Sequence, residues 1–160
     1  QTVLIVGGGD GVGKLEAIVE AVGRVLGSRE ALSQLVVICG KNLKLQKRLR
    51  ELRFPPAVHV VVEGFVTTMS DYMSAADCIV TKAGPGTIAE ASICGLPVML
   101  SGHLPGQESG NVHHVINHGF GSYSRKPRVI ARTVARWLGE PEMLQAMSER
   151  ALRAGRPDAT

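Results

Sequence analysis

TVLIVGGGDGVGKL, residues 2–15, places a short apolar run before a glycine-rich turn and the start of a helix-period segment. Leu15, Ile18, Val19, Val22, Val25 and Leu26 recur at helical spacing, with Glu16, Glu20 and Arg24 on the other side. A bare-backbone turn between strand and helix suits phosphate, because free amides and the helix N-terminus face the anion there. Counted from Gly8 the spacing reads G-x-x-x-x-G-K, but Leu15 stands where a P-loop needs a magnesium-binding hydroxyl. No register of these glycines gives G-x-G-x-x-G either. The turn is therefore a phosphate-tolerant turn of neither standard kind, with a ligand-free tight turn as the alternative.

Working outward, nearly continuous apolar runs at Val3–Val6, Leu35–Cys39, Val58–Val62, Cys78–Thr81 and Pro97–Leu100 read as strands covered on both faces of a parallel sheet. Helix-period segments separate them. One runs through Leu43–Leu49 and stops before Pro55-Pro56, and two late helices open near Pro127 and Pro141. Strand–helix alternation of this kind predicts an α/β fold, a doubly wound Rossmann-like parallel sheet of about six strands. The segment 154–160 reads as a loose tail.

At 160 residues and 44% hydrophobic content, the chain supports one core, and residues 1–160 read as a single domain. Its apolar runs are strand-sized, too short to span a bilayer. It opens with Gln and shows no signal peptide or transit-like leader, so we expect a fragment of a longer protein. Cys39, Cys78 and Cys94 have no zinc-site spacing, and their odd number argues for buried, reduced thiols. A net charge of +4 suits phosphates or an anionic surface. With aromatics at only 4%, stacking platforms for bases are few, so nucleic acid is not expected as a partner.

A second glycine cluster lies in DCIVTKAGPGTIAEASICGLPVML, residues 77–100. Gly84, Pro85, Gly86 and Thr87 fall at a strand's carboxyl end and a helix start, where the glycines allow close backbone approach to a ligand. Glu90 is expected in that helix's first turn, as an ionised, acceptor-only group suited to vicinal hydroxyls. A plain helix-start acid is the alternative. The loop SGHLPGQESGN, residues 101–111, carries Gln107, Glu108 and Asn111, which together can donate to and accept from sugar hydroxyls. A polar loop capping the next helix would look the same.

The order of GGG-x-G-x-G, VEGFV, TKAGPGTIAEA, GLPV and PGQESGN resembles the nucleotide-sugar-binding C-terminal half of GT-B glycosyltransferases. Within these it resembles the family of the peptidoglycan N-acetylglucosaminyltransferase, and most closely its galactolipid-making branch, the monogalactosyldiacylglycerol synthases. That resemblance covers nearly the whole chain. It implies that Gly8, Gly9 and Gly11 line the donor phosphates and that the loop bearing Phe65 and Val66 holds uracil. Gly84, Pro85, Gly86 and Thr87 would cradle the diphosphate, with Lys82 as an extra cation or a solvated lysine. Glu90 would bind ribose, and Gln107 and Glu108 the galactose, with Asn111 supporting them.

The implied reaction moves galactose from UDP-galactose to diacylglycerol with inversion, without a metal or other cofactor. The general base and the diacylglycerol site would lie in an N-terminal domain that this chain lacks, leaving the catalytic residue unknown and the fragment inactive in transfer. His103, nearest the sugar loop, is the candidate base this chain itself offers, while packed or surface roles suit His113, His114 and His118 better. The family places the full-length enzyme at the chloroplast envelope as a peripheral membrane protein, the fragment itself being soluble. Arg128, Arg132 and Arg136, at i, i+4 and i+8, could rest on anionic lipid or form a solvated helix face. Alternatives remain: the donor-binding half of a UDP-N-acetylglucosamine transferase or UDP-sugar epimerase, or a non-enzymatic UDP-binding module.

Overall fold

The computed structural model describes residues 1–7, 13–103, 106 and 108–156. The strands are β1 (Thr2–Val6), β2 (Ser33–Ile38), β3 (Val58–Glu63), β4 (Cys78–Thr81), β5 (Val98–Leu100) and β6 (Gly121–Tyr123). The helices are α1 (Gly13–Gly27), α2 (Leu43–Glu51), α3 (Met69–Ala75), α4 (Pro85–Ile93), α5 (Ser109–Asn117), α6 (Pro127–Gly139) and α7 (Pro141–Ala154). All strand pairs are parallel, and the six-stranded sheet has the order β3-β2-β1-β4-β5-β6. The doubly wound expectation therefore holds.

Alternation along each strand divides the core in two. Val3, Ile5, Leu35, Val37, Val80 and Met99 point to one face, where α1, α2 and α6 cover them with Ile18, Val22, Leu45, Leu49, Val134 and Trp137. Leu4, Val36, Ile38, Ile79, Val98 and Leu100 point to the other, against Met73 of α3, Ile88 and Ala91 of α4, and Val112 and Val115 of α5. Each fully buried Leu, Ile or Val contributes about 1.5–3 kcal/mol against exposure. Covering both faces is what makes the strands read as unbroken apolar runs.

The differences from expectation have local causes. β2 starts two residues before Leu35, because Ser33 N donates to Ala57 O at 2.9 Å and Gln34 N to Gln1 O at 2.8 Å. β6 was not among the expected strands; it spans three residues, Gly-Ser-Tyr, with little apolar content to announce it. α3, seven residues long, was likewise not anticipated. At the other end, α7 stays helical through Ala154, so the looseness expected from residue 154 does not begin there; residues 157–160 lie outside the described set. Among the described residues no helix is long and apolar enough to cross a membrane.

Candidate functional site

The strand order reverses between β1 and β4, since their connections leave in opposite directions across the sheet. At such a point the loops after neighbouring strands part and open a crevice at the carboxyl edge. Gly7 after β1, the β4–α4 turn and Gly102 after β5 all meet this edge. Asp77, by contrast, sits at the amino edge, where its carboxylate accepts from Thr2 N at 2.7 Å.

Gly84 is the N-cap of α4, with φ −72° and ψ 134°, and Pro85 follows at the first helical position. Proline lacks an N–H, so it fits a first turn whose amides have no partner inside the helix. Among the described residues no side chain caps this end. A Cβ added at Gly84 or Gly86 would meet nothing within 4 Å. The protein's own packing does not demand these glycines, and open space lies where a ligand would approach. The Gly86 and Thr87 amides and the α4 dipole together could receive an anion at this end.

Glu90 is the sixth residue of α4, so it stands in the second turn and not in the first as expected. The helix begins at Pro85, one residue after the cluster's first glycine, which moves Glu90 beyond the reach of a first-turn dipole effect. It is exposed, and it shares a helix face with Gly86 four residues earlier and Thr87 three residues earlier. A carboxylate one turn past the amide cradle can address hydroxyls next to the anion. Pro85, Ile88, Ala89 and Ile93 form the adjoining stripe, which with Asn111 and His114 of α5 lines a groove of about 420 Å³.

Asn111 has a role beyond the expected support of the sugar loop. Its Nδ2 donates to the carbonyl of buried Ala83 at 2.9 Å, and Ala83 N donates to Gly102 O at 2.9 Å. These two bonds clip α5 and the β5–α5 loop to the β4–α4 turn. Lys82, between β4 and Ala83, is partly buried. Glu108 is the N-cap residue of α5, and its carbonyl accepts from Asn111 N at 3.0 Å. Gly8, Gly9, Gly11 and Gln107 lie outside the described residues. Gly7, at the end of β1, donates to Ile38 O at 3.0 Å, and a Cβ there would sit 2.8 Å from Leu15 Cδ2.

The loop after β3 divides in its behaviour. Phe65 is 65% exposed, with the Lys41 ammonium 5.3 Å from its ring centroid. Val66 is instead half-buried against the core face that holds Ile88, so its side chain is a packing group. Gln46, buried in α2, donates to Gly40 O at 3.2 Å and fills the space beside Gly64, tying the β2 and β3 loops together.

A group around His103 escaped the sequence reading. The His103 ring lies 5.5 Å from Tyr123, and Arg125 donates to Tyr123 Oη at 2.9 Å and to His103 O at 3.3 Å. His103 Nδ1 is buried with no hydrogen-bond partner among the described residues. Tyr123 and Arg125 belong to the short β6 and the turn after it, so no local pattern marked them. Among the cysteines, Cys39 and Cys78 are buried and Cys94 only half-buried, all three as free thiols. Burial pushes the Cys39 thiol up to about 11 and raises Cys78 further, so both are protonated packing groups at neutral pH. Among the described residues no group of three His, Cys, Asp or Glu side chains could hold a metal ion.

A parallel sheet of this order with helices on both faces defines a doubly wound, Rossmann-like domain, a class whose ligands bind at the switch point. The chain belongs to the glycosyltransferase family 28 C-terminal domain family, whose model matches residues 2–159. It is 49% identical to a probable monogalactosyldiacylglycerol synthase, chloroplastic, of Nicotiana tabacum, and 47% identical to monogalactosyldiacylglycerol synthase 1, chloroplastic, of Arabidopsis thaliana. Each match covers 98% of this chain and 30% of the relative, so the chain spans about a third of these proteins' length. Among solved structures, MurG of Acinetobacter baumannii matches with a TM-score of 0.76 at 22% identity, over 99% of this chain and 46% of that one. A putative UDP-N-acetylglucosamine 2-epimerase of Listeria monocytogenes matches with a TM-score of 0.73 at 16% identity, over 96% of this chain and 42% of that one. These two likenesses establish the GT-B-type fold of the domain.

Proposed function

We propose that this chain is the donor-binding domain of an inverting galactosyltransferase that moves galactose from UDP-galactose to 1,2-diacylglycerol. The observation that carries the reading is the open start of α4: Gly84 and Gly86 face empty space, the helix end is uncapped, and Glu90 stands one turn beyond. Identity of 47–49% with galactolipid synthases, against 16% with the epimerase, supports a transferase over the other UDP-sugar enzymes. In this reading the Gly86 and Thr87 amides take the charge that develops on the leaving diphosphate, a preorganised electrostatic role that needs no resident metal. Glu90 accepts from the ribose hydroxyls. Glu108 and Gln107 address the galactose, while Asn111 holds the two loops in register. The base that deprotonates the diacylglycerol hydroxyl, the lipid site and peripheral membrane contact come from an acceptor domain outside this chain, at the chloroplast envelope.

The test is a thermal-shift titration of the chain with UDP-galactose, UDP, UDP-N-acetylglucosamine, ATP and NADH. A ligand at one hundred times its Kd adds about 2.7 kcal/mol, or roughly 5–10 °C for a domain of this size. UDP and UDP-galactose should stabilise, and Glu90→Ala should remove most of the effect. Stabilisation by ATP or NADH alone refutes the reading. Stabilisation by UDP with indifference to the attached sugar would make the chain a UDP-binding module.

A further inference from the structure

Lys14 is the second residue of α1, which follows the glycine-rich stretch of sequence after β1. Its ammonium nitrogen lies 2.9 Å from the position a Cβ would take on Gly102. Gly102 follows β5, and the sheet order places β4 between β1 and β5. The Lys14 side chain therefore crosses the carboxyl end of β4 to reach Gly102. That end continues into Ala83 and the α4 start, with Ala83 N bonded to Gly102 O at 2.9 Å. The side chain of Lys14 makes no hydrogen bond or ion pair with any described residue. A lysine whose ammonium reaches across the sheet edge to Gly102, with no partner among the described residues, is disposed to meet an anion from outside.

We propose that Lys14 is a donor-binding residue whose ammonium pairs with the diphosphate of the nucleotide sugar. The proposal rests on the donor-site reading above and adds a charged group to it. The α4 amides provide partial positive charge from one side of the crevice, and Lys14 brings a full charge from the α1 side. A diphosphate gathers negative charge as the sugar departs, so a cation held there favours the leaving group more than the intact donor. Gly102 makes this possible. It has an ordinary backbone conformation, so its missing side chain serves the room that the ammonium occupies.

Calorimetric titration of the chain with uridine, UMP and UDP tests this, using Lys14→Gln, Lys14→Arg and Gly102→Ala. Lys14→Gln should weaken UDP about tenfold or more, as expected for a lost charge-assisted bond, and leave uridine within about twofold. Lys14→Arg should restore most of the UDP affinity. Gly102→Ala meets only the far end of a flexible side chain, so it should keep the melting temperature and still weaken UDP. UDP affinity unchanged in Lys14→Gln, or equal loss for uridine and UDP, overturns the role of Lys14 and leaves the donor site standing. If the unmodified chain binds none of the three, the donor-site reading itself fails and the Lys14 role with it.

Discussion

Replacing Asn111 separates two roles that one residue could play at this site. Its Nδ2 is the donor to the Ala83 carbonyl at 2.9 Å, and Ala83 is 0% exposed, so water does not readily replace the lost partner. Stranding a buried acceptor costs about 1–3 kcal/mol. For a domain of this size each kcal/mol moves the melting temperature about 2–4 °C, so Asn111→Ala should lower it by roughly 2–12 °C. Asn111→Asp keeps the size but turns a carboxylate oxygen toward the carbonyl, and it should cost at least as much. Both variants should also weaken UDP, because the β4–α4 turn loses its clip to α5. Circular-dichroism melts with and without UDP read both quantities. Melting within about 1 °C of the unmodified chain for both variants would refute the clip. Weakened binding of UDP-galactose with unchanged stability would make Asn111 a sugar-contacting group instead.

Two further substitutions and one titration test other parts of the structure. Gly86→Ala adds a methyl that meets nothing within 4 Å, so it should stabilise α4 by about 0.5–1 kcal/mol while weakening UDP; loss of stability in urea melts would contradict an open crevice. Gly121→Ala would overlap the Val98 carbonyl and the Val115 side chain, forcing β6 from β5, and should cost about 1–3 kcal/mol or more on the same assay. Burial and the neighbouring His118 lower the His114 pKa from its usual 6.5. Below that pH the unfolded chain binds more protons than the folded one, so His114 contributes stability above about 6.5 that is lost as pH falls through the folded pKa. NMR titration should place the His114 midpoint below 6.5, and His118→Gln should raise it; a midpoint at or above 6.5 would reject this.

The sheet was legible because its two cores make each strand continuously apolar, and helices such as α6 set Ile130, Val134 and Trp137 against Arg128, Arg132 and Arg136. The two prolines that open α6 and α7 fixed those starts through their missing amides. β6 was not legible, since three residues carry no period and its pairing with β5 is decided by what α5 and Phe120 bury. The arginine stripe was visible too. Its surroundings were not: Arg24 of α1 joins Arg128 and Arg132 around a groove of about 370 Å³ floored by Ala21 and Val25, and Arg136 pairs with Glu140 at 3.7 Å.

The site shows the same division more sharply. Glycine motifs located the cradle because a strand end followed by a helix start is a local event. Its side chains were harder to assign because their partners come from distant segments. Asn111 reaches Ala83, Lys14 reaches Gly102, and Arg125 reaches His103 across the carboxyl edge of the sheet. Resemblance could name Asn111 as a supporting residue of the sugar loop, but only the register of α5 against β4 reveals that its amide nitrogen donates to the protein backbone. A parallel sheet brings its loops together at one edge whatever their separation in sequence. Polar residues there must therefore be sorted by what they touch before any is assigned to a ligand. Among the described residues, the first α4 amides, Glu90 and Lys14 pass that criterion, and in the proposed reading they serve as anion cradle, hydroxyl acceptor and cation. In that reading the set suits the diphosphate and adjoining ribose of a nucleotide sugar.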